Sequence, residues 1–319
     1  MNFKQNESSQ KLRGGYYTPK ELAVFLSKWV AKIHPQKTLE PSFGDGVFLK
    51  TMSPLIDKKS SIEGIELDSL EFDKVKKQNI ANGNVINADF LSWYINNHSQ
   101  KNTFDAVIGN PPFIRYQYLS NEDQKYSEEI FKNHDLKFTR HTNAWVPFII
   151  ASISLLKPGG RIAMIVPSEI IHVMHAQSLR TFIGENCKKI LIIDPEEIWF
   201  ENTLQGAVML MAEKKNNSNE ASGGLNIKQV KGKSFLNADP EDYFLNSNYS
   251  DREILSGKWT KALLTEKEIN LFDKIIELEE VYKFSDIADV SVGIVTGANN
   301  FFLVNNDTVD NYQLADYAH

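Results

Sequence analysis

The sequence predicts an α/β protein in which helices cover both faces of a mostly parallel sheet. Short apolar stretches alternate with patterns of helical periodicity along the first two thirds of the chain. A turn with two glycines follows the first apolar stretch, and acidic residues stand at the ends of several others. Such alternation is typical of doubly wound proteins, because parallel strands need helical crossovers between them. We expect seven strands, of which the last is antiparallel.

The first helix and the strands follow from local patterns. Thr18-Pro-Lys-Glu21 is typical of a capping box, and apolar residues at helical spacing then predict a helix over Pro19–Ile33. Gly206–Ala212 follows the preceding strand too closely for a helical crossover, which predicts antiparallel pairing. The stretch Leu225–Phe235 is interpreted as hairpin-like. The six strands predicted before Gly206 are Thr38–Glu40, Ser61–Glu66, Asn84–Asn87, Phe104–Gly109, Arg161–Val166 and Lys189–Ile193.

The composition is that of a globular protein. The chain has 319 residues, of which 42% are hydrophobic and 24% charged, enough for one large domain and a smaller one. We place the boundary between residues 255 and 256. Residues 1–15 lack the apolar core of a signal peptide, and Trp145–Leu156 is too short to span a membrane, so a cytoplasmic protein is expected. The single cysteine, Cys187, permits no disulfide, and no spacing suggests a metal site.

The overall charge disfavours a protein whose whole surface binds a polyanion. The formal net charge is −6, with 41 acidic against 35 basic residues. Phosphate neutralisation requires lysine and arginine near the nucleic-acid backbone. Any contacts with nucleic acid are therefore expected in one cleft, or in a basic recognition domain beyond this chain.

The glycine-bearing turn is compatible with a ligand site. In Leu39-Glu-Pro-Ser-Phe-Gly-Asp-Gly46, the residues Gly44 and Gly46 would let a ligand approach the backbone, and free amides follow at the helix N-terminus. A Gly-x-Gly alone is equally compatible with a generic strand-to-helix turn.

Acidic residues at three successive strand ends strengthen this interpretation. Glu40, Glu66 and Asp89 each follow or end a predicted strand. The carboxyl ends of parallel strands share one edge of the sheet, where ligands bind in doubly wound folds. A carboxylate at Glu66 can accept hydrogen bonds from both hydroxyls of a ribose, and one at Asp89 can accept from an adenine amine.

The most informative motif is Asn110-Pro-Pro-Phe113 at the end of the predicted fourth strand. Two prolines remove two backbone donors and fix the main chain, leaving the Asn110 side-chain oxygen and the Pro111 carbonyl as converging acceptors. Two acceptors facing one amine hold it and draw its lone pair out of conjugation. Phe113 offers an aromatic face for a planar base that has left the duplex. The motif indicates methylation of an amino group.

The order of motifs resembles the gamma class of adenine-N6 DNA methyltransferases of restriction–modification systems. The resemblance covers roughly residues 13 to 212. It implies the Rossmann-like fold of methyltransferases that depend on S-adenosylmethionine, with the catalytic domain over residues 1–255. The motifs that carry it are Gly15–Pro19, Pro41–Gly46, Gly64–Asp68, Ala88–Phe90, Asn110–Phe113, Asn143–Phe148, Leu155–Gly160 and Arg161–Ser168.

By that resemblance, S-adenosyl-L-methionine is the expected cofactor. Asn110, Pro111, Pro112 and Phe113 would form the catalytic motif, and Phe113 and Phe200 would pack on the flipped target base. The residues expected around the cofactor are Tyr17, Thr18, Glu40, Phe43, Gly44, Gly46, Glu66, Leu67, Asp89, Phe90, Asn110 and Phe148.

The resemblance also implies partners. A C-terminal domain reads the DNA sequence in this class, and Phe284–Phe302 resembles only its beginning, so residues 256–319 are expected to be a linker helix and the start of that domain. Double-stranded DNA, bound weakly by this chain alone, and a cognate restriction endonuclease are the expected partners; no membrane is expected. The sequence departs from the class pattern in the glycine loop, which is Phe43-Gly-Asp-Gly46 where Cys-Gly-Ser-Gly is commoner, and in Phe113, where tyrosine is commoner.

Other functions fit parts of the sequence. Methyltransferases with the same Asn-Pro-Pro-aromatic motif modify RNA bases or a protein glutamine, and a non-catalytic DNA-binding subunit could keep the fold. Cytosine N4 methylation stays open. Cytosine C5 methylation needs a nucleophilic cysteine, and Cys187 lies away from the strand ends. A dehydrogenase is disfavoured, because the full Gly-x-Gly-x-x-Gly pattern is missing.

Overall fold

The computed structural model describes residues 17–97, 102–196, 206–250, 257–290 and 305–314. The chain divides into two compact units, residues 1–265 and residues 266–319. The first unit contains the whole described sheet and the motifs that indicate a methyltransferase.

The first unit is built on one eight-stranded sheet with the order β3-β2-β1-β4-β5-β7-β6-β8. The first three strands extend to one side of β1, and after β3 the chain returns to place β4 on the other side of β1. The topological switch point of the sheet therefore lies between β1 and β4. The strands are β1 (Lys37–Glu40), β2 (Ser61–Glu66), β3 (Gly83–Asn87), β4 (Phe104–Gly109), β5 (Leu156–Pro167), β6 (Cys187–Pro195), β7 (Ala207–Lys214) and β8 (Gly224–Val230).

The predicted fold class is confirmed, including the antiparallel seventh strand. β7 pairs antiparallel with both β5 and β6, whereas the neighbouring strands from β3 to β5 pair in parallel. The hairpin-like interpretation of Leu225–Phe235 is wrong. Gly224–Val230 pairs in parallel with β6 and adds an eighth strand, because its apolar residues Leu225 and Ile227 join the core there.

Helices lie on both faces of the sheet. Successive side chains of β4 point to opposite faces, so that Val107 joins one hydrophobic core whereas Ala106 and Ile108 join the other. Phe104, beyond a register irregularity in the pairing of β4 with β5, joins the core of Val107. The helices of the first unit are α1 (Lys20–Ala31), α2 (Val47–Met52), α3 (Ser69–Lys76), α4 (Phe90–Asn96), α5 (Asn121–Lys132), α6 (Trp145–Leu155), α7 (Gln177–Asn186) and α8 (Pro240–Leu245).

The apolar helix expected from the sequence is α6, and every residue of Trp145–Leu155 is buried. It packs in the core that contains Phe104 and Val107. Its N-terminus faces the carboxyl ends of the strands, which brings Ala144 and Phe148 to the candidate site.

The capping box predicted at the first helix is wrong. Pro19 is the residue that precedes α1, and no side chain caps the helix there. The Thr18 hydroxyl instead accepts a hydrogen bond from the Asn110 side chain at 3.2 Å. Thr18 thus contacts a residue 92 positions away in the chain and does not cap its own helix.

The second unit contains α9 (Glu266–Ile276), α10 (Phe284–Ile287) and α11 (Asn306–Asn311). Leu271, Phe272 and Ile275 of the amphipathic helix α9 are exposed. None of the helices in the described residues is long and apolar enough to cross a membrane.

Candidate active site

A cavity of about 700 Å³ opens at the carboxyl ends of β1, β2, β3 and β4. These four strands are neighbours in the sheet, so the segments that follow them meet at one edge. Ligand cavities in doubly wound folds occupy this position. The residues predicted from the sequence that line it are Tyr17, Thr18, Glu40, Phe43, Gly44, Glu66, Leu67, Asp89, Phe90, Asn110, Pro112 and Phe148.

Glu66 is held rigidly between two loops. Its Oε2 accepts a hydrogen bond from the Gly44 amide and its Oε1 accepts one from the Asp68 amide, each at 2.8 Å. Gly44 adopts a φ of 51°, a left-handed conformation that favours glycine. Each carboxylate oxygen has two lone pairs, so Glu66 can also accept from a ligand.

Asp89 caps the N-terminus of helix α4 and lines the same cavity. Its Oδ1 accepts a hydrogen bond from the Ser92 amide at 2.6 Å. Burial raises the pKa of this carboxyl group, the Ser92 amide opposes the rise, and the negative charge of Asp123 adds to it. The ring of Phe90 lies 5.0 Å from that of Phe148, which gives the cavity an aromatic wall beside the acid.

Glu40 is the most unusual group in the cavity wall. The residue is 1% exposed, and neither oxygen of its carboxyl group has a hydrogen-bond partner that meets normal geometry. Burial raises the pKa of Glu40 well above its ordinary value, and the charges of Asp45 and Glu66 raise it further. The Leu49 amide and Lys50 lower it. A positively charged ligand would stabilise the ionised form here.

Asn110 follows β4 and forms hydrogen bonds with the loop after β1 and with the segment before α1. Its side-chain nitrogen donates to the Thr18 hydroxyl at 3.2 Å, and its backbone oxygen accepts from the Ser42 hydroxyl at 3.1 Å. A Cβ on Gly109 would lie 3.3 Å from Pro41, so the glycine permits the close approach of the two strand ends. The Asn110 Oδ1 is buried from solvent.

Not every predicted residue lines the cavity. Pro111 is buried, and Phe113 is half-buried against the hydrophobic cores of both faces. Gly46 precedes α2 with a φ of 74°, and a Cβ there would lie 3.1 Å from Val75. Phe200 lies outside the described residues.

Sequence patterns missed several residues of the site. Ser42, Asp45 and Asp123 line the cavity but were not among the predicted site residues. Ser42 and Asp45 lie within the Pro41–Gly46 motif, whereas Asp123 lies in no motif. Asn143, the first residue of the Asn143–Phe148 motif, does not line the cavity and donates a hydrogen bond to Glu169 at 3.1 Å. Glu169 was not predicted, because its partner Asn143 lies 26 residues away in the chain and no local pattern joins the two.

The cavity is strongly acidic. Among the described residues that line it, Lys74 is the basic one, and its amino group pairs with Glu71 at 2.8 Å. Its acidic lining residues are Glu40, Asp45, Glu66, Asp68, Glu71, Asp89 and Asp123.

Two further predictions concern a nucleophilic cysteine and a metal site. Cys187 is buried at the start of β6, and burial raises the pKa of its thiol to about 12. A thiol of this kind is a poor nucleophile at neutral pH. Among the described residues, no group of three His, Cys, Asp or Glu side chains is arranged as metal ligands.

The eight-stranded sheet with its antiparallel β7, and the cavity at the strand ends, define a Rossmann-like methyltransferase fold. Solved structures share it. The DrdV–DNA complex superposes on 77% of this chain with a TM-score of 0.59 and 15% identity, covering 31% of that chain. A putative class I S-adenosylmethionine-dependent methyltransferase from Listeria monocytogenes superposes on 71% of this chain and 71% of its own, with a TM-score of 0.55 and 20% identity.

The chain belongs to the Eco57I restriction-modification methylase family, whose sequence pattern matches residues 20–200. Residues 256–319 match the C-terminal domain of the Type II methyltransferase M.Eco57I. The Type II methyltransferase M.AccI of Acinetobacter calcoaceticus is 28% identical over 91% of this chain and 53% of its own length. M.HindII of Haemophilus influenzae is 24% identical over 94% of this chain and 57% of its own.

The chain thus spans about half the length of these curated relatives. The Type II restriction enzyme and methyltransferase RM.Eco57I of Escherichia coli is 28% identical over 72% of this chain, which corresponds to 21% of that protein.

Proposed function

We propose that this chain transfers a methyl group from S-adenosylmethionine to N6 of a flipped-out adenine in DNA, as the modification activity of a restriction–modification system. The observation that carries the proposal is the position of Asn110 at the cavity that also contains Glu66 and Asp89. Membership of the methylase family supports it.

The residues of the cavity fit the cofactor. Glu66, already fixed by two amides, would accept from the ribose hydroxyls, and Asp89 would accept from the adenine amine, beside the Phe90 amide. Leu67 and Phe148 would flank the adenine ring. When bound, the cofactor supplies a methyl group on a positively charged sulfur.

The methionine end would lie near the other lining residues. The buried carboxyl group of Glu40, which has no partner of normal geometry, fits the cofactor's amino group. Tyr17 and Thr18 would contact this end as well, and the loop from Phe43 through Gly44 to Gly46 would lie beneath it. The acidity of the cavity suits a ligand that carries a positive charge on its sulfur as well as on its amino group.

The target amine would be held by the motif at the end of β4. The Asn110 oxygen and the Pro111 carbonyl would accept from its two hydrogens, with Pro112 keeping the backbone rigid. This positions the nitrogen and favours the lone pair that attacks the methyl group. Because the Asn110 Oδ1 is closed to solvent in this structure, the entering base would have to uncover it.

The flipped base would pack on aromatic side chains. Phe113 and Phe200 are the proposed stacking residues. Phe113 packs against both hydrophobic cores in this structure, so a rotation toward the cavity is part of the proposal.

The proposed partners follow from the family. Double-stranded DNA is the substrate, read by a C-terminal recognition domain of which residues 256–319 form the beginning, whereas residues 1–255 form the catalytic domain. We also propose a cognate restriction endonuclease and a cytoplasmic location. The relative RM.Eco57I is, by its name, both a restriction enzyme and a methyltransferase, which supports the proposal of a cognate endonuclease.

The decisive experiment is radiolabelled methyl transfer from S-adenosylmethionine, by the full-length protein, to DNA, tRNA and a protein mixture. We expect label in DNA, as N6-methyladenine after hydrolysis, and at least about a hundredfold less with Asn110→Ala. Label confined to tRNA or protein would overturn the assigned substrate. Transfer to DNA that persists in Asn110→Ala would overturn the role of that side chain.

A further inference from the structure

The segment that follows Asn110-Pro-Pro is tied to the start of helix α6. The Ala144 amide donates to the Ile114 carbonyl at 2.9 Å, and the Tyr116 amide donates to the Asn143 side-chain oxygen at 3.2 Å. Ile114 and Ala144 both line the cavity. One wall of the site therefore depends on where the Asn143 side chain is held.

Glu169 holds the Asn143 side chain. The Asn143 Nδ2 donates to the Glu169 Oε2 at 3.1 Å, and Asn143 is buried. Since the Tyr116 amide is a donor, it requires the oxygen end of the Asn143 amide, and the nitrogen end must then find an acceptor. The carboxylate of Glu169 is that acceptor, so it determines which way the asparagine points.

The charges around Glu169 leave its carboxylate available to Asn143. The Nε2 atom of His175 lies 3.9 Å from the Glu169 Oε2, too far for a hydrogen bond. Burial lowers the pKa of His175; the charge of Glu169 opposes this, whereas His141 and Arg180 add to it. The imidazole is thus disfavoured as a competing ion-pair partner near neutral pH.

The loop that carries Glu169 is itself anchored by a fully buried arginine. Arg180 donates from one terminal nitrogen to the carbonyls of Ile170 and Val173, each at 3.0 Å. Its Nε donates to the Gly257 carbonyl at 2.6 Å, two residues before the fully buried Trp259. The loop after β5 is therefore joined to the last segment of the first unit.

We propose that Glu169 is a positioning residue for the target amine: through Asn143 it holds the segment that follows Asn110-Pro-Pro. Arg180 fixes the position of the loop that carries Glu169 through its hydrogen bonds to the Ile170 and Val173 carbonyls. This inference rests on the proposed function, since it assigns that segment to the target side of the cavity. Glu169 does not line the cavity, so its effect is on geometry and not on cofactor contacts.

The test compares Glu169→Ala and Glu169→Gln with Glu185→Gln, a control at an exposed glutamate of α7. With Glu169→Ala we expect kcat for DNA methylation to fall about 10- to 100-fold, because small misplacements of reacting groups are costly. The cofactor Kd from calorimetry should stay unchanged. Glu169→Gln should restore most of the activity, because its amide oxygen can accept from Asn143.

A second readout does not need turnover. Hydrogen exchange of the peptide covering residues 111–118 should become faster in Glu169→Ala and in Asn143→Ala, because the Tyr116 amide loses its partner. The double variant should lose little more than either single one, as expected for residues that act together. Wild-type exchange and kcat in Glu169→Ala, or losses in the double variant that add fully, would overturn the inference.

The two proposals fail in different ways. A wild-type protein that transfers no methyl group to DNA would overturn the proposed function, while the exchange data would still decide the contact. An active wild type whose Glu169→Ala variant loses cofactor binding in parallel with kcat would show a merely structural role and overturn the positioning assignment.

Discussion

The carboxylate of Glu66 accepts a hydrogen bond from the backbone amide of Gly44 at 2.8 Å, which joins the end of β2 to the loop after β1. The Asp68 amide binds the other oxygen at the same distance. The acid is thus oriented before any ligand arrives, and orientation in advance lowers the entropic cost of binding.

Replacing Glu66 with glutamine should weaken cofactor binding. One of the two backbone amides would then face an NH2 group, and the ribose would lose a charged acceptor. We expect a Kd about 10- to 100-fold higher by calorimetry, in line with hydrogen bonds to charged groups. Glu63→Gln, on the same strand but away from the cavity, is the control. Equal affinities in all three proteins would contradict the assignment.

Glu40 should make stability depend on pH. Its pKa is raised in the folded protein above the ordinary value of 4.5, so the folded state holds the proton more tightly than the unfolded state. That contribution is fully present below the ordinary pKa and is lost as pH rises through the folded pKa. Glu40→Gln stays neutral, so its thermal midpoint should exceed that of the wild type increasingly toward alkaline pH.

The measurement for Glu40 is thermal unfolding between pH 5 and 9 without ligand, a range of roughly two units on either side of neutrality. Glu185→Gln serves as the exposed control. A difference between Glu40→Gln and wild type that stays constant across this range would show that Glu40 does not titrate as described.

Gly64→Ala should displace Phe43 in the cavity wall. A Cβ at this position of β2 would lie 2.9 Å from the Cδ1 atom of Phe43, which is buried and lines the cavity. Overpacking of this kind costs about 1–3 kcal/mol of stability. We expect a lower thermal midpoint and weaker cofactor binding, and partial recovery of both when Phe43→Leu is added. No change in Gly64→Ala would mean that Phe43 moves freely.

Arg161 and Glu241 should contribute strongly to stability. The two Arg161 terminal nitrogens bind the two Glu241 oxygens at 2.5 and 2.7 Å, and the guanidinium lies over the ring of Trp29 at 4.7 Å. Glu213 lies 3.9 Å from Arg161 and still compensates part of its charge in Glu241→Gln. This variant should therefore cost about 1.5–3 kcal/mol in denaturant unfolding, the range for a hydrogen bond to a charged group. The exposed pair of Lys32 and Asp239 is the control, and Lys32→Gln should leave the midpoint unchanged.

Several features of this protein follow from local sequence. The strands and the buried helix α6 are encoded by short apolar patterns, and they appear within a few residues of their predicted bounds. The acids Glu40, Glu66 and Asp89 share an edge because parallel strands end on the same side. These predictions succeed because periodicity and strand polarity are local properties.

The tertiary structure alone decided the remaining points. It added β8 beside β6, directed Thr18 to Asn110 instead of a helix cap, brought Glu169 to Asn143, and packed Phe113 against both cores. Each of these depends on strand order and on contacts between residues far apart in the chain. Side-chain partners across such distances compete with local ones, and only the folded arrangement determines which contact forms.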